Sequence, residues 1–327
     1  MTNVSLGFDN KTIQPSDFGK VAVLFGGHSA ERAVSMASGS CVLSALQEAG
    51  VDAHKFDPAE HPIGELLTQG FDRAFIILHG RGGEDGSMQG ALQTLGMPYT
   101  GTGVLGSALA MDKVYSKQVW SALGLPTAKY RVVRKSDIVG GAGVASLDYD
   151  EILAYLGGVA MVKPAREGSS IGMAKVSDQN ELCAAIAEAL KYDDDVLVES
   201  YIDGPEYTIS ILNGQALPSI RMSTPHVFYD YDAKYRDSTT EYYCPSGLDD
   251  STEKALGELA LSAFSALSGI GWGRVDVMRT SDGSFMLLES NTVPGMTETS
   301  LVPKAAKQAG MSFKELVLRI LMSSLER

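Results

Sequence analysis

The segment GRVDVMRTSDGSFMLLESN, Gly273 to Asn291, carries two carboxylates and an amide within otherwise apolar runs. Asp276 lies in the first run, and Glu289 and Asn291 end the second. Ser281-Asp282-Gly283 reads as a turn, so the runs are predicted to pair as a hairpin. Residues 289 and 291 are two apart and share a face. Acids in apolar strands are rarely left unpaired. Two carboxylates and an amide oxygen suit magnesium, which keeps waters and takes substrate phosphates as further ligands. The plain alternative is a solvated hairpin end whose acids bind nothing.

A second stretch, MVKPAREGSSIGMAKV, places Lys163 at the end of an apolar run and a glycine-bearing turn, REGSSIG, after it. Such a turn can fold over phosphates with its backbone N–H groups while the lysine adds a point charge. It is not a P-loop, since GxxxxGK[ST] is absent and a strand, not a helix, follows. Alone it is a weak nucleotide signal, and the acidic hairpin strengthens it. In a third stretch, VAVLFGGHSAERAVSMASGS, a strand runs into a helix with Glu31 and Arg32 at the junction. Glu31 there either meets a cationic ligand or is a glutamate favoured by the helix dipole.

The elements that must hold these residues fall into three blocks after an N-terminal extension, residues 1–19. Residues 20–103 alternate strand and helix: VAVLF, a helix near 30–49, VDAHKF, a short helix near 62–69, AFIILHG, a helix near 87–95 and the strand-like MPYTG. This predicts a doubly wound parallel sheet of α/β class, whose ligands sit beyond the carboxyl ends of the strands. GGHSAER and HGRGGEDG both lie at such ends. Residues 104–202 open with a helical stretch, MDKVYSKQVWSALG, closed by Gly124 and Pro126, followed by strands YRVV, AMVKPA, GMAKV and DVLVESYI and helices near 148–156 and 178–191. Residues 203–327 add YTISIL, ALPSIRM and the acidic hairpin, with helices near 252–268, 303–310 and 313–325. Between them residues 224–248 are aromatic, polar and aperiodic, and a loop of that length in a compact domain is usually functional.

With a formal charge of −13 there is no basic stripe for nucleic acid. The three cysteines, Cys41, Cys183 and Cys244, have no metal-ligand spacing and read as free thiols of a reducing cytosol. No apolar run approaches the ~20 residues of a membrane span, and residues 1–20 contain no signal-like stretch. The expectation is a cytoplasmic protein without membrane or nucleic-acid partners.

Lys163 with EGSSIG, Glu199 ending DVLVES, and Asp276, Glu289 and Asn291 together resemble the ATP-grasp superfamily, in which two α+β lobes clamp ATP. VLFGGHSAER, HGRGGEDG, TGTGVLGSALAMDK, YDYDAKY and NTVPGMTETSLVP, in that order from Lys20 onward, resemble the D-alanine–D-alanine ligase family. The resemblance implies a substrate domain at 20–103, an ATP-grasp central lobe at 104–202 and a C-terminal lobe at 203–327 with a lid at 224–248. It implies ATP as co-substrate, two magnesium (or manganese) ions held by Asp276, Glu289 and Asn291, and D-alanine as the amino acid. Lys113, Lys163 and Lys234 would contact the phosphates. Glu199, Ile202 and Glu206 would line the adenine and ribose site, walled by Phe228, Met278 and Leu288. Glu31 would take the ammonium of the first D-alanine, Arg274 and the Gly295 N–H the oxyanion, and Ser300 and Leu301 the second D-alanine. Tyr235 would bond Ser169 and through it Glu31, and a tyrosine there favours peptide over depsipeptide synthesis. His79 either positions the first substrate or is a satisfied strand-end histidine. A homodimer through the first domain is implied by the family alone.

Some positions depart from the family pattern: His28, Ala33, Ser200 where lysine is common, and Ser290 where an apolar residue is more typical. None removes a ligand, so they bear on affinity. The competing readings are another carboxylate–amine ligase of the same fold, such as a D-alanine–D-lactate type, and a non-catalytic ATP-binding grasp protein. VLFGGHSAE offers no GxGxxG, which argues against a dinucleotide oxidoreductase.

Overall fold

The computed structural model describes residues 13–138, 147–224 and 240–326. Phe228, Lys234, Tyr235 and most of the 224–248 loop lie outside the described residues.

Three strands, β1 (Lys20–Leu24), β2 (Asp52–Phe56) and β3 (Arg73–Ile76), form a parallel sheet in the order β2-β1-β3. Val21 to Leu24 and Ala74 to Ile76 are buried, as strands covered on both faces must be. MPYTG does not extend the sheet beyond one parallel bridge, Ala74 to Tyr99. Helix Arg32–Glu48 leaves the end of β1 and packs back on it. A Cβ at Gly39 would stand 2.1 Å from Phe25 Cγ, so the small residue sets how closely helix and strand approach.

The second sheet is antiparallel, in the order β4-β7-β5-β6, from β4 (Tyr130–Arg134), β5 (Ala160–Pro164), β6 (Ala174–Val176) and β7 (Asp195–Ser200). Helices Tyr149–Leu156 and Gln179–Ala189 cover it through Leu153, Leu156, Leu182 and Ile186. The third sheet runs β11-β10-β8-β12-β13, with β9 beside β8. Its strands are β8 (Glu206–Leu212), β9 (Gln215–Ala216), β10 (Ile220–Ser223), β11 (Glu241–Tyr243), β12 (Trp272–Arg279) and β13 (Phe285–Asn291). Helix Asp250–Ala266 backs it, with Leu256, Ala263 and Phe264 against Val275 and Val277.

The structure departs from expectation in particular places. The expected helix in MDKVYSKQVWSALG runs over Lys113–Ala122, but a further helix, Val104–Met111, precedes it; the two meet at Asp112, which is extended (ψ 106°) and accepts from the N–H groups of Val114 and Tyr115. An aspartate offering an N-cap at that point outcompetes continuation of the helix. ALPSIRM divides into β9 and β10 around Pro218, which has no N–H for a ladder. Residues 241–243, read as loop, pair with β10 instead.

The last helices, Leu301–Gln308 and Phe313–Met322, return to the first sheet. Val302, Leu316 and Ile320 share a core with Val23 and Phe75, and Arg73 donates to the Ser324 carbonyl at 3.1 Å. The return brings residues 293–301 beside the carboxyl ends of β1 and β3. Replacing Gly39 by Ala is expected to lower stability by about 1–3 kcal/mol through overpacking against Phe25. Gly64, whose Cβ would meet nothing within 4 Å, serves as the near-neutral control in the same denaturant titration.

Candidate active site

Two cavities open between these sheets and meet. One, of about 390 Å³, lies between the second and third sheets. Lys113, Lys163, Glu199, Glu206 and Glu289 give it charge, while Ile202, Met278 and Leu288 wall it. The other, of about 460 Å³, lies between the carboxyl ends of the first sheet and the β12–β13 hairpin. Glu31, His79, Arg274, Gly295, Ser300 and Leu301 line it. Lys113, Glu167, Gly168, Ser169 and Glu289 border both. The expected nucleotide residues and amino-acid residues thus separate into two spaces with one junction.

On the first side Glu199 is buried at the end of β7 between two ammonium groups, Lys163 and Lys117, each 2.6 Å away. Burial alone would raise its pKa, but the two cations hold it down to about 2. Burial likewise opposes the Lys163 ammonium, yet Glu199, with Glu289 and Glu206 beyond it, raises its pKa. For Lys117 burial wins and its pKa is lowered, in spite of Glu199. Sequence reasoning missed Lys117. The available signal was its register in helix Lys113–Ala122, three residues from both Val114 and Trp120, which places it on the buried face.

The acidic hairpin forms in the expected pairing, Asp276 opposite Glu289 and Arg274 opposite Asn291. Asp276 is buried and accepts from Thr208 Oγ1 at 2.6 Å, Arg274 Nε at 2.8 Å and Nη2 at 2.7 Å, and Asn291 Nδ2 at 3.1 Å. Glu289 is half-open, with Lys113 Nζ at 3.7 Å. Among the described residues no three His, Cys, Asp or Glu side chains cluster to hold a metal. The third oxygen here is the amide oxygen of Asn291, whose Nδ2 donates to Asp276. This all-oxygen set beside a lysine-lined cavity fits magnesium that shares its coordination with phosphates. Ser290 sits opposite Val275, off the face that Glu289 and Asn291 share, with its buried hydroxyl lacking a hydrogen-bond partner among the described residues.

On the amino-acid side Glu31 accepts a hydrogen bond from Ser169 Oγ, across from the first domain to the turn after β5. Gly80 and Gly168 make room for it: a Cβ on either would lie 2.7 or 3.0 Å from Glu31 Oε2. Arg32 faces away and pairs with Asp57 at 2.7 Å while donating to the Gly27 carbonyl at 2.8 Å. Burial would raise the Asp57 pKa, but hydrogen bonds from Arg32 and the Gly27 and Ala59 N–H groups bring it to about 2. The GGHSAER turn is therefore fastened by Arg32, leaving Glu31 to the cavity.

His79 is buried and its Nδ1 lies 2.8 Å from the Val293 carbonyl, so Nδ1 carries the proton and donates. Burial lowers the ring's pKa, and neutral Nε2 accepts from Ser38 Oγ at 3.3 Å. Ser38 Oγ in turn accepts the Met296 N–H at 3.1 Å. The histidine is thus satisfied, and it steadies the loop that carries Gly295. Glu84, in the same HGRGGEDG turn, was not singled out from the sequence. Burial, aided by the charge of Glu31, pushes its pKa up to about 8, and it accepts the Gly80 N–H at 2.7 Å.

Two antiparallel sheets closing on a cleft of lysines and acids define the ATP-grasp class, here with a parallel domain in front. Comparison with known proteins narrows the class. Residues 52–102 match the family described as D-ala D-ala ligase N-terminus, and residues 119–322 match D-ala D-ala ligase C-terminus. The chain belongs to the D-alanine–D-alanine ligase family. It is 62% identical to the D-alanine–D-alanine ligase of Pseudoalteromonas atlantica over 94% of this chain and 95% of that protein. The crystal structure of D-alanine–D-alanine ligase from Bacillus anthracis superposes with a TM-score of 0.82 at 33% identity, covering 94% of this chain and 97% of that one. The same enzyme complexed with ATP gives a TM-score of 0.80 at 31% identity, with the same coverages of 94% and 97%.

Glu84 supplies a pH test. Its pKa rises from an ordinary 4.5 to about 8 on folding, so the folded chain holds a proton that the unfolded chain releases. Stability therefore falls as pH rises from about 4.5 to about 8. Glu84→Gln cannot ionise and is expected to melt higher than the parent above pH 8 and close to it at acid pH. Parallel melting curves at all pH values would remove the assignment.

Proposed function

We propose that the protein is an ATP-dependent ligase that joins two D-alanines into D-alanyl-D-alanine for peptidoglycan precursors. The observation that carries this reading is the junction of the two cavities at Lys113, Glu167, Gly168, Ser169 and Glu289. A nucleotide in the first cavity would present its terminal phosphate to an amino acid in the second.

The carboxylate of the first D-alanine attacks the γ-phosphorus, the bond to the ADP oxygen breaks, and an acyl phosphate forms. The amine of the second D-alanine then attacks the acyl carbon, and phosphate leaves from a tetrahedral adduct. Glu31 holds the first ammonium, with Ser169 fixing its orientation. Arg274 and the Gly295 N–H bind the oxyanion, a role worth about 3–4 kcal/mol per donor. Ser300 and Leu301 seat the second D-alanine, and His79 supports Gly295 through Val293 and Ser38. Lys113 and Lys163 orient the phosphates, and Glu199, Ile202 and Glu206, with Met278 and Leu288, receive adenine and ribose. Asp276, Glu289 and Asn291 would hold magnesium or manganese, which offsets charge on the transferring phosphoryl group. No nucleophilic side chain is needed, because the phosphate is the activating group.

The domain limits at 103 and 202, a cytoplasmic setting and a homodimer through the first domain belong to the same reading and rest on the family. No helix among the described residues is long and apolar enough to cross a membrane.

Purified protein with ATP and magnesium is expected to release phosphate only when D-alanine is added, with dipeptide formed in equal amount; L-alanine should not replace it. Chelation of the metal should abolish release. Glu31→Gln is expected to raise the KM for D-alanine about tenfold or more, through loss of a charged hydrogen bond, with the KM for ATP unchanged. Equal effects on both substrates would remove Glu31 from the ammonium site.

A further inference from the structure

Lys117 has no part in the roles assigned above, yet it is placed where no lysine would settle without a reason. Its side chain is 0% exposed, against 10% for Lys163, and the two ammonium groups share one carboxylate, Glu199, at 2.6 Å each. Only Lys163 and Glu199 reach the first cavity; Lys117 does not line it. Lys117 Nζ also donates to Thr127 Oγ1 at 2.5 Å, and that hydroxyl donates to the Leu287 carbonyl at 3.2 Å. Thr127 and Leu287 form the isolated bridge that joins the start of the second sheet's segment to β13. One ammonium thus reaches the second sheet through Glu199 and, through Thr127, Leu287 of β13, the strand whose Leu288 and Glu289 line the cavity.

We propose that Lys117 is a positioning residue that acts as the permanent counter-ion of Glu199, so that Lys163 can leave that carboxylate for a nucleotide phosphate. A buried carboxylate stripped of all partners is strongly disfavoured. With a single cation, Lys163 could engage phosphate only by abandoning Glu199 in a dry site. With two, Lys163 exchanges one anion for another while Glu199 stays ionised and aimed at the cavity. The inaccessible lysine keeps its partner, and the one at the cavity wall changes partners. The inference rests on the nucleotide reading of the first cavity and concerns a residue outside it.

The test is ADP affinity, measured by calorimetry with magnesium on the full chain, for the parent, Lys117→Met, Glu199→Gln, and the two combined. In Lys117→Met the remaining ammonium is held by Glu199. ADP binding should weaken about tenfold or more, as for any site whose competent state is populated a tenth of the time. The double variant removes the charge that traps Lys163 and should bind ADP as Glu199→Gln alone does, that single variant carrying whatever the Glu199 carboxylate itself contributes to the site. It also removes the uncompensated acid, which keeps the test usable if Lys117→Met alone does not fold. D-alanine binding in the second cavity should be unchanged in both. Parent-like ADP affinity in Lys117→Met would overturn the proposal. So would a loss on adding Lys117→Met to Glu199→Gln as large as its loss in the parent, since that is what a merely structural lysine predicts. Failure of the parent itself to bind ADP would instead overturn the nucleotide reading on which the proposal stands.

Discussion

The hydrogen bond from Ser169 to Glu31 joins the turn after β5 to the start of the helix after β1 at the point where both cavities meet. Much of the neighbouring structure is arranged around it. Gly80 and Gly168 give way to the Glu31 carboxylate. Ser169 and Ser170 both stand at positive φ, 52° and 59°, a conformation that costs non-glycine residues of order 1 kcal/mol and persists only where neighbours impose it. Lys113 donates to the carbonyl of Glu167 at 2.7 Å, and Arg81, from the turn that also holds His79, pairs with the Glu167 carboxylate at 2.7 Å. The turn is therefore gripped from the first domain and from the helix beneath it. An acyl phosphate formed there would lie between two walls that belong to different parts of the chain.

Charge compensation follows the same geography. Asp57 has Arg32, Asp276 has Arg274, and Glu199 has two lysines. Asp193, buried beside the turn, is held by Arg166, whose hydrogen bonds lower its pKa against the pull of burial. Glu84 is the contrast: it faces the same cavity as Glu31, and its pKa rises where those of Asp57, Glu199 and Asp193 fall. Two acids share one small space there, and burial makes protonating one of them the cheaper state. The negative net charge of the chain is thus compatible with binding an anionic nucleotide, because local pairing rather than overall balance sets the potential inside the cleft.

Much was legible in the residues themselves. The apolar runs VAVL and AFIIL, the turn at Ser281-Asp282-Gly283 and the two-residue spacing of Glu289 and Asn291 each follow from local rules of pattern and pleat, and the sheet and hairpin formed accordingly. The family motifs carried the pairing of Glu31 with Ser169 across more than a hundred positions, which no local rule could reach. The helix Val104–Met111 was less visible, because VLGSALAM is short and almost wholly apolar and shows no helical alternation of faces. Residues 241–243 escaped notice because three residues beside a longer aromatic stretch carry no periodicity, and their strand state depends on the edge that β10 offers.

By itself, then, the sequence determined most of the strands and helices, which acids and lysines stand ready for phosphate chemistry, and the order in which they occur. Tertiary structure alone decided which of them share a space. Lys117 became a partner of Glu199 only when helix Lys113–Ala122 was laid under β7, and Glu84 acquired its displaced pKa only when β3 and β1 brought its turn beside Glu31. Burial and pairing energies depend on what surrounds a charge, and those surroundings come from segments remote in the chain.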